Sequence, residues 1–252
     1  MVAVTRLCRV VQNFVAMRRA ARPTAHEVPT RAGTLRVHAW EPVVQAAALT
    51  IVTVHPWAPL GGSEYNTRGI AAEFAHSGIR ALSFDMSSSS MVWGVLSNHA
   101  REVKQIGDVC DWAKHQWPES SIILFGSSAG SPQAGSVLPL NEHVVGLACV
   151  GYTFGWFAAI AFGRHFGAFL TSAKPKLLIT GDADEFTSEA TLNKYVGKAR
   201  PGSVESIVVR GVGHFELEMP EYDSTVASYV LDWIEKRGWW PERRAACASS
   251  SR

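Results

Sequence analysis

Six short runs rich in apolar and β-branched residues recur along the chain, at 49–54, 80–84, 121–125, 144–150, 176–180 and 205–209. Near-continuous apolar runs suit the central strands of a parallel sheet, which is covered on both faces. Ahead of them, residues 30–42 read as the end of a hairpin: Ala32-Gly33 supplies the turn, and Leu35, Val37 and Ala39 alternate with other residues. Stretches of helical length and spacing lie between and after the runs, at 64–76, 99–116, 129–138, 187–199 and 222–236. In the last of these, Val226, Tyr229, Val230 and Trp233 recur on one face. Ser188-Glu189 offers a helix start, and Pro118 and Pro201 follow helix ends. This alternation predicts an α/β fold, a doubly wound and mostly parallel sheet of about eight strands with helices on both faces.

Composition supports one large domain and excludes wholesale disorder, since 47% of the 252 residues are hydrophobic and only 18% are charged. The formal net charge of +2 is unevenly placed. Residues 1–26 carry Arg6, Arg9, Arg18, Arg19 and Arg22 and no acid, so the rest of the chain is net acidic. We therefore divide the chain into a basic arm (1–26), an α/β domain (27–240) and a polar tail (241–252). The arm resembles an amphipathic targeting peptide except that it lacks serine, and its other reading is a surface helix. The expected location is the cytoplasm, or a mitochondrion or plastid if the arm is a targeting peptide. No long basic run or basic–aromatic patch suggests nucleic acid as a partner. Residues 144–163 are uncharged over a length that could span a membrane. Gly146, Gly151 and Gly155 and a β-rich first half favour a buried strand leading into a loop and helix, so no integral span is expected. Cys8, Cys110, Cys149 and Cys247 stand far apart without a CxxC pair and read as free thiols, two of them buried.

The sharpest chemical signal is Gly126-Ser127-Ser128-Ala129-Gly130, set between a strand and a helix. A G-x-S-x-G turn there is tight enough to lift the central hydroxyl, here Ser128, clear of the sheet. A serine needs a base to become nucleophilic, and His214 in Gly213-His214-Phe215 follows the last strand on a glycine-rich loop. The orienting carboxylate is expected from Gly181-Asp182-Ala183-Asp184-Glu185. Asp184 is favoured, because the first residues after the strand make the turn; Asp182 then reads as a turn or capping group and Glu185 as a solvated charge. For the oxyanion, one donor is the amide of Ala129, the residue after Ser128. Pro56 has no N–H, which points to the amide of Trp57 as the second donor, with His55 bracing the loop.

Together, His55-Pro56-Trp57, the Gly126–Gly130 elbow, Gly181–Asp184 and Gly213-His214 resemble the α/β-hydrolase superfamily over residues 30–240. The likeness is to compact, cap-poor members related to dienelactone hydrolases and serine-peptidase-like hydrolases. It implies Ser128 as nucleophile, Asp184 as acid, His214 as base, and Trp57 and Ala129 as oxyanion donors. Dienelactone hydrolases have cysteine where Ser128 stands, and many relatives have His-Gly where this chain has His55-Pro56. After Phe84-Asp85-Met86, relatives commonly continue with an Arg-Gly-x-Gly type of turn; this chain has Ser87 to Ser90.

Residues 152–172 form the most aromatic stretch and are too short for a multi-helix cap. Phe162, Phe166 and Phe169 recur at core-stripe spacing, while Phe154, Trp156 and Phe157 are assigned to the wall of an apolar acyl pocket. No acidic cluster marks these segments, which argues against a cationic substrate. No metal motif, Walker loop or dinucleotide fingerprint is present, so neither metal nor other cofactor is expected. The function expected is a serine hydrolase acting on small carboxylic esters or thioesters. A peptidase or amidase would share every catalytic residue, and a non-catalytic sensor or scaffold would share the fold.

Overall fold

The computed structural model describes residues 22–43, 48–87 and 99–240, with the side chain of Phe157 outside that description. Most of the basic arm, the tail 241–252 and Ser88 to Ser90 also lie outside the described residues. Eight strands form one sheet: β1 (Thr24–Thr30), β2 (Gly33–Trp40), β3 (Leu49–Val54), β4 (Arg80–Phe84), β5 (Ser121–Ser127), β6 (Val144–Val150), β7 (Lys176–Gly181) and β8 (Val204–Val209). Their order across the sheet is β1-β2-β4-β3-β5-β6-β7-β8. The β1–β2 and β2–β4 pairs are antiparallel, and every later pair is parallel. The doubly wound architecture read from the sequence is thus observed. β1 begins at Thr24, ahead of the boundary at residue 27 drawn from charge.

Burial explains why the central strands were so legible. β3, β4 and β7 are buried at every position, as parallel strands between two helical layers must be. Away from the centre the pattern changes: β2, next to the edge strand β1, buries only Leu35, Val37 and Ala39, and the edge strand β8 has no fully buried residue. Among the described residues six α-helices flank the sheet: α1 (Tyr65–His76), α2 (Ala100–Gln116), α3 (Gly130–Val137), α4 (Trp156–Thr171), α5 (Glu189–Lys198) and α6 (Asp223–Lys236). Successive strand residues point to opposite faces, so Val52, Leu124 and Leu178 pack with α2 to α5, whereas Ile51, Ile123 and Ile179 pack with α1 and α6.

Cys110 and Cys149 are buried free thiols, and burial holds the Cys149 thiol up at about 12. The uncharged stretch 144–163 is β6 running through a loop into α4. Among the described residues no helix is long and apolar enough to cross a membrane. Parallel connectivity brings the carboxyl ends of β3, β5, β6 and β7 together on one edge of the sheet, with the loop after β8 beside them. Four of the segments singled out in the sequence lie there.

Candidate active site

The turn between β5 and α3 spans only Ser128 and Ala129. Ser128 has φ 48°, in the left-handed region that side chains avoid. Its N–H donates to the Val150 carbonyl at 2.9 Å, and its own carbonyl accepts from Ser131 at 3.0 Å. The flanking glycines are required by close approach. A Cβ on Gly126 would stand 2.6 Å from Ser131 Cα, and one on Gly130 would stand 2.4 Å from the His55 carbonyl oxygen. The helix can therefore start directly against the end of β3, with the Ser128 hydroxyl presented at the sheet edge.

Asp184 closes the turn after β7. Its Oδ1 accepts from the Phe186 and Thr187 N–H groups at 2.8 and 2.7 Å, which fixes the carboxylate. Its Oδ2 faces His214 Nδ1 at 2.7 Å, and His214 Nε2 faces Ser128 Oγ at 2.8 Å. The three side chains chosen from the sequence thus form one hydrogen-bonded chain. The side chains of His214 and Asp184 are 1% and 0% exposed, so the pair is shielded from water. Phe186 packs edge-on against the imidazole at 4.6 Å.

The other two acids of the segment support the same geometry. Asp182 accepts from the Gly211 N–H at 2.6 Å and so does turn work, as expected. Glu185, expected to be merely solvated, accepts from the His214 backbone N–H at 3.0 Å. Burial pushes the His214 imidazole toward its neutral form. The hydrogen bond and charge of Asp184, with the charges of Glu218 and Glu185, more than offset this, and the net shift is upward. His55 is buried and lowered by desolvation; its Nδ1 donates to the Pro56 carbonyl at 2.6 Å and its Nε2 accepts from Met86 N–H at 3.0 Å.

Ser128 opens on a cleft of about 390 Å³ lined by Trp57, Ala129, Ala158, Phe162, Phe186 and Phe215, among others. Neither the Trp57 nor the Ala129 N–H is used in the backbone hydrogen bonds of the described turns. The pocket wall differs from expectation. Phe154 is buried behind it, stacked on Tyr152 and Tyr195 at 4.0 and 4.3 Å, and Trp156 at the start of α4 is 80% exposed. Neither lines the cleft, and Phe157 has no described side chain. For Trp156 helical phase is the reason, since Ala158, Ala161 and Phe162 occupy the face of α4 that turns to Ser128; Phe154 lies ahead of α4, in the loop after β6. Phe162, Phe166 and Phe169 form the core stripe, with Phe162 serving both core and cleft.

No family model and no curated protein matches the chain. Solved structures do. A serine hydrolase without a lid from Xanthomonas campestris superposes with a TM-score of 0.68 at 19% identity, over 84% of this chain and 95% of that one. An alpha-beta serine hydrolase homologue from Coxiella burnetii gives 0.65 at 23% identity, covering 82% and 97%. A dienelactone hydrolase from Anabaena variabilis gives 0.64 at 18% identity, covering 85% and 98%. The chain has the α/β-hydrolase fold.

Within this α/β-hydrolase fold, only the single helix α4 stands where a larger cap could be inserted between β6 and β7. Among the described residues, no group of three or more His, Cys, Asp or Glu side chains gathers as metal ligands would. The one charged residue of the cleft lining among the described residues escaped sequence reasoning. Glu218, in the short turn after His214, lines the cleft and accepts from the Ser127 hydroxyl at 2.5 Å. Its signal was the acidic Glu216-Leu217-Glu218 directly behind the histidine, outside the aromatic stretch where a pocket acid was sought.

Proposed function

We propose that the chain is a serine hydrolase that cleaves carboxylic esters or thioesters through an acyl-enzyme. The observation that carries this reading is the Ser128–His214–Asp184 hydrogen-bonded chain ending at an apolar cleft. His214 Nε2 takes the Ser128 proton as Oγ attacks the carbonyl carbon. Asp184 holds the imidazole with Nδ1 as donor and stabilises the imidazolium that forms. The amides of Trp57 and Ala129 serve the oxyanion, which is where charge develops. His214 then gives the proton to the departing alkoxide or thiolate. Water, deprotonated by His214, attacks the acyl carbon, and collapse returns the proton to Ser128 and frees the acid.

Pocket size and lining fit an acyl chain of modest length rather than a polymer threaded through a groove. Labelling with a fluorophosphonate probe tests the reading, together with turnover of short- and medium-chain nitrophenyl esters. Wild type should be labelled and active, and Ser128→Ala should lose both. Well-folded wild type that takes no label would overturn the hydrolase reading in favour of a binding role for the fold.

A further inference from the structure

Glu218 is the only charged side chain among the described residues that line the cleft. The rest of the lining is uncharged and mostly apolar, Leu60, Phe162, Phe186 and Phe215 among it with Asn66, Ser128 and Thr153, so no opposite charge in the cleft offsets its own. Oε1 is committed to the hydroxyl of Ser127, the residue before the proposed nucleophile, which is itself 3% exposed. That bond fixes the carboxyl beside Ser128 rather than letting it swing into water. The groups that act on it electrostatically are His214 and Asp184; no lysine or arginine pairs with it among the described residues. It follows His214 on the same loop, and in the proposed reaction this imidazole protonates the leaving group.

A fixed carboxylate without a cation, in an apolar cleft, leaves one partner unfilled. We infer that Glu218 is a specificity-determining residue that sorts substrates by charge. It favours esters whose acyl or alcohol part carries an ammonium group and disfavours those carrying a second carboxylate. This reverses the expectation, drawn from the aromatic segment alone, that cations are not favoured. Burial raises the Glu218 carboxyl above the usual range, while the Ser127 hydrogen bond and the His214 charge oppose that shift. The inference rests on the hydrolase reading for its role in turnover, but its binding consequence is independent of any reaction.

Two arms test it at about pH 8, well above the ordinary carboxylate range. The first is calorimetric binding of octylammonium, octan-1-ol and octanoate to wild type, Glu218→Gln and Ser127→Ala. Wild type should bind the three in that order, with about tenfold between octanol and octanoate. Glu218→Gln should collapse the order, and Ser127→Ala, which keeps the charge but frees the carboxyl, should narrow it without abolishing it. Octanoate binding as tightly as octanol to wild type would overturn the inference, as would an order unchanged in Glu218→Gln or lost equally in Ser127→Ala. The second arm compares kcat/KM for nitrophenyl hexanoate and mono-nitrophenyl adipate, whose carboxylate is too far from the ester to expel nitrophenolate by ready ring closure. The neutral-to-anionic ratio should fall about tenfold in Glu218→Gln. A wild type that hydrolyses neither ester but sorts the three ligands by charge would defeat the hydrolase reading and leave the charge selectivity standing.

Discussion

Two chains of hydrogen bonds in this molecule have the same outline and opposite chemistry. One runs from Ser128 through His214 to Asp184, with links of 2.8 and 2.7 Å. The other runs from Ser136 on α3 through His165 on α4 to His99, with links of 2.6 and 3.1 Å. Each contains a residue with a left-handed backbone, Ser128 at φ 48° and His99 at φ 49°, the only such residues other than glycine that are described. The first chain ends in a carboxylate held by two backbone N–H groups, and its imidazole is raised. The second ends in a histidine whose Nε2 has no partner among the described residues, and burial with the neighbouring ring pushes His165 down to about 4. His99 lies flat on Phe162, 4.8 Å away, and meets Trp57 edge-on at 5.8 Å, so this chain braces the cleft wall. A serine against a histidine is therefore not a site in itself. The third member decides whether the imidazole can hold a proton, and the turn decides whether the hydroxyl reaches a cavity.

The strongest way to break this comparison is at the two serines. Ser128→Ala should lower kcat for ester hydrolysis about a million-fold, whereas Ser136→Ala should keep fluorophosphonate labelling and turnover. Equal losses in both variants would remove the distinction. Next in size, Asp184→Asn should reduce kcat about ten-thousand-fold by losing the anionic acceptor for Nδ1–H. His214 must be neutral to act as a base, so the acidic limb of the wild-type kcat/KM profile should lie above the ordinary 6.5. In Asp184→Asn, residual activity should show that limb at lower pH, and an unmoved limb would deny the carboxylate its electrostatic part.

The buried pair makes a different prediction. Because His165 is depressed to about 4, the unfolded chain takes up the proton first as pH falls. Its contribution is complete above about 6.5 and is lost toward pH 4, amounting to about 3 kcal/mol. Urea unfolding at successive pH values should show that slope in wild type and a flatter one in His165→Gln; parallel slopes would rule the titration out. The smallest effect belongs to Glu185→Gln. The amide oxygen can still accept the His214 N–H, so kcat/KM should fall by less than about tenfold. A drop approaching that of Asp184→Asn would show that the wrong carboxylate carries the imidazole.

Much of this was legible in the sequence for a definite physical reason. Strands buried on both faces are dominated by apolar residues, with few polar ones such as Thr50, Thr53, Arg80 and Ser83, so β3, β4 and β6 were delimited to the residue. Ser128, Asp184 and His214, which hydrogen bonds link in the structure, could be singled out because each follows a strand on a turn whose glycines leave a spacing to read. What was missed depends on rotation and on contacts between distant loops. Phe154 and Trp156 are as aromatic as Phe162, and only the course of the loop after β6 and the phase of α4 tell which ring faces the cleft. Glu218 joins the site through Ser127, 91 residues away in the chain, a contact that no local pattern encodes. β1 is mostly exposed and has no apolar run to announce it, which is why its start was placed within the arm.

The left-handed backbone at Ser128 has an evolutionary consequence. That conformation costs a side-chain-bearing residue about 1–2 kcal/mol and glycine almost nothing. Replacing Ser128 with glycine would then yield a sturdier molecule deprived of its hydroxyl. A lineage with no use for that hydroxyl would find its loss thermodynamically downhill.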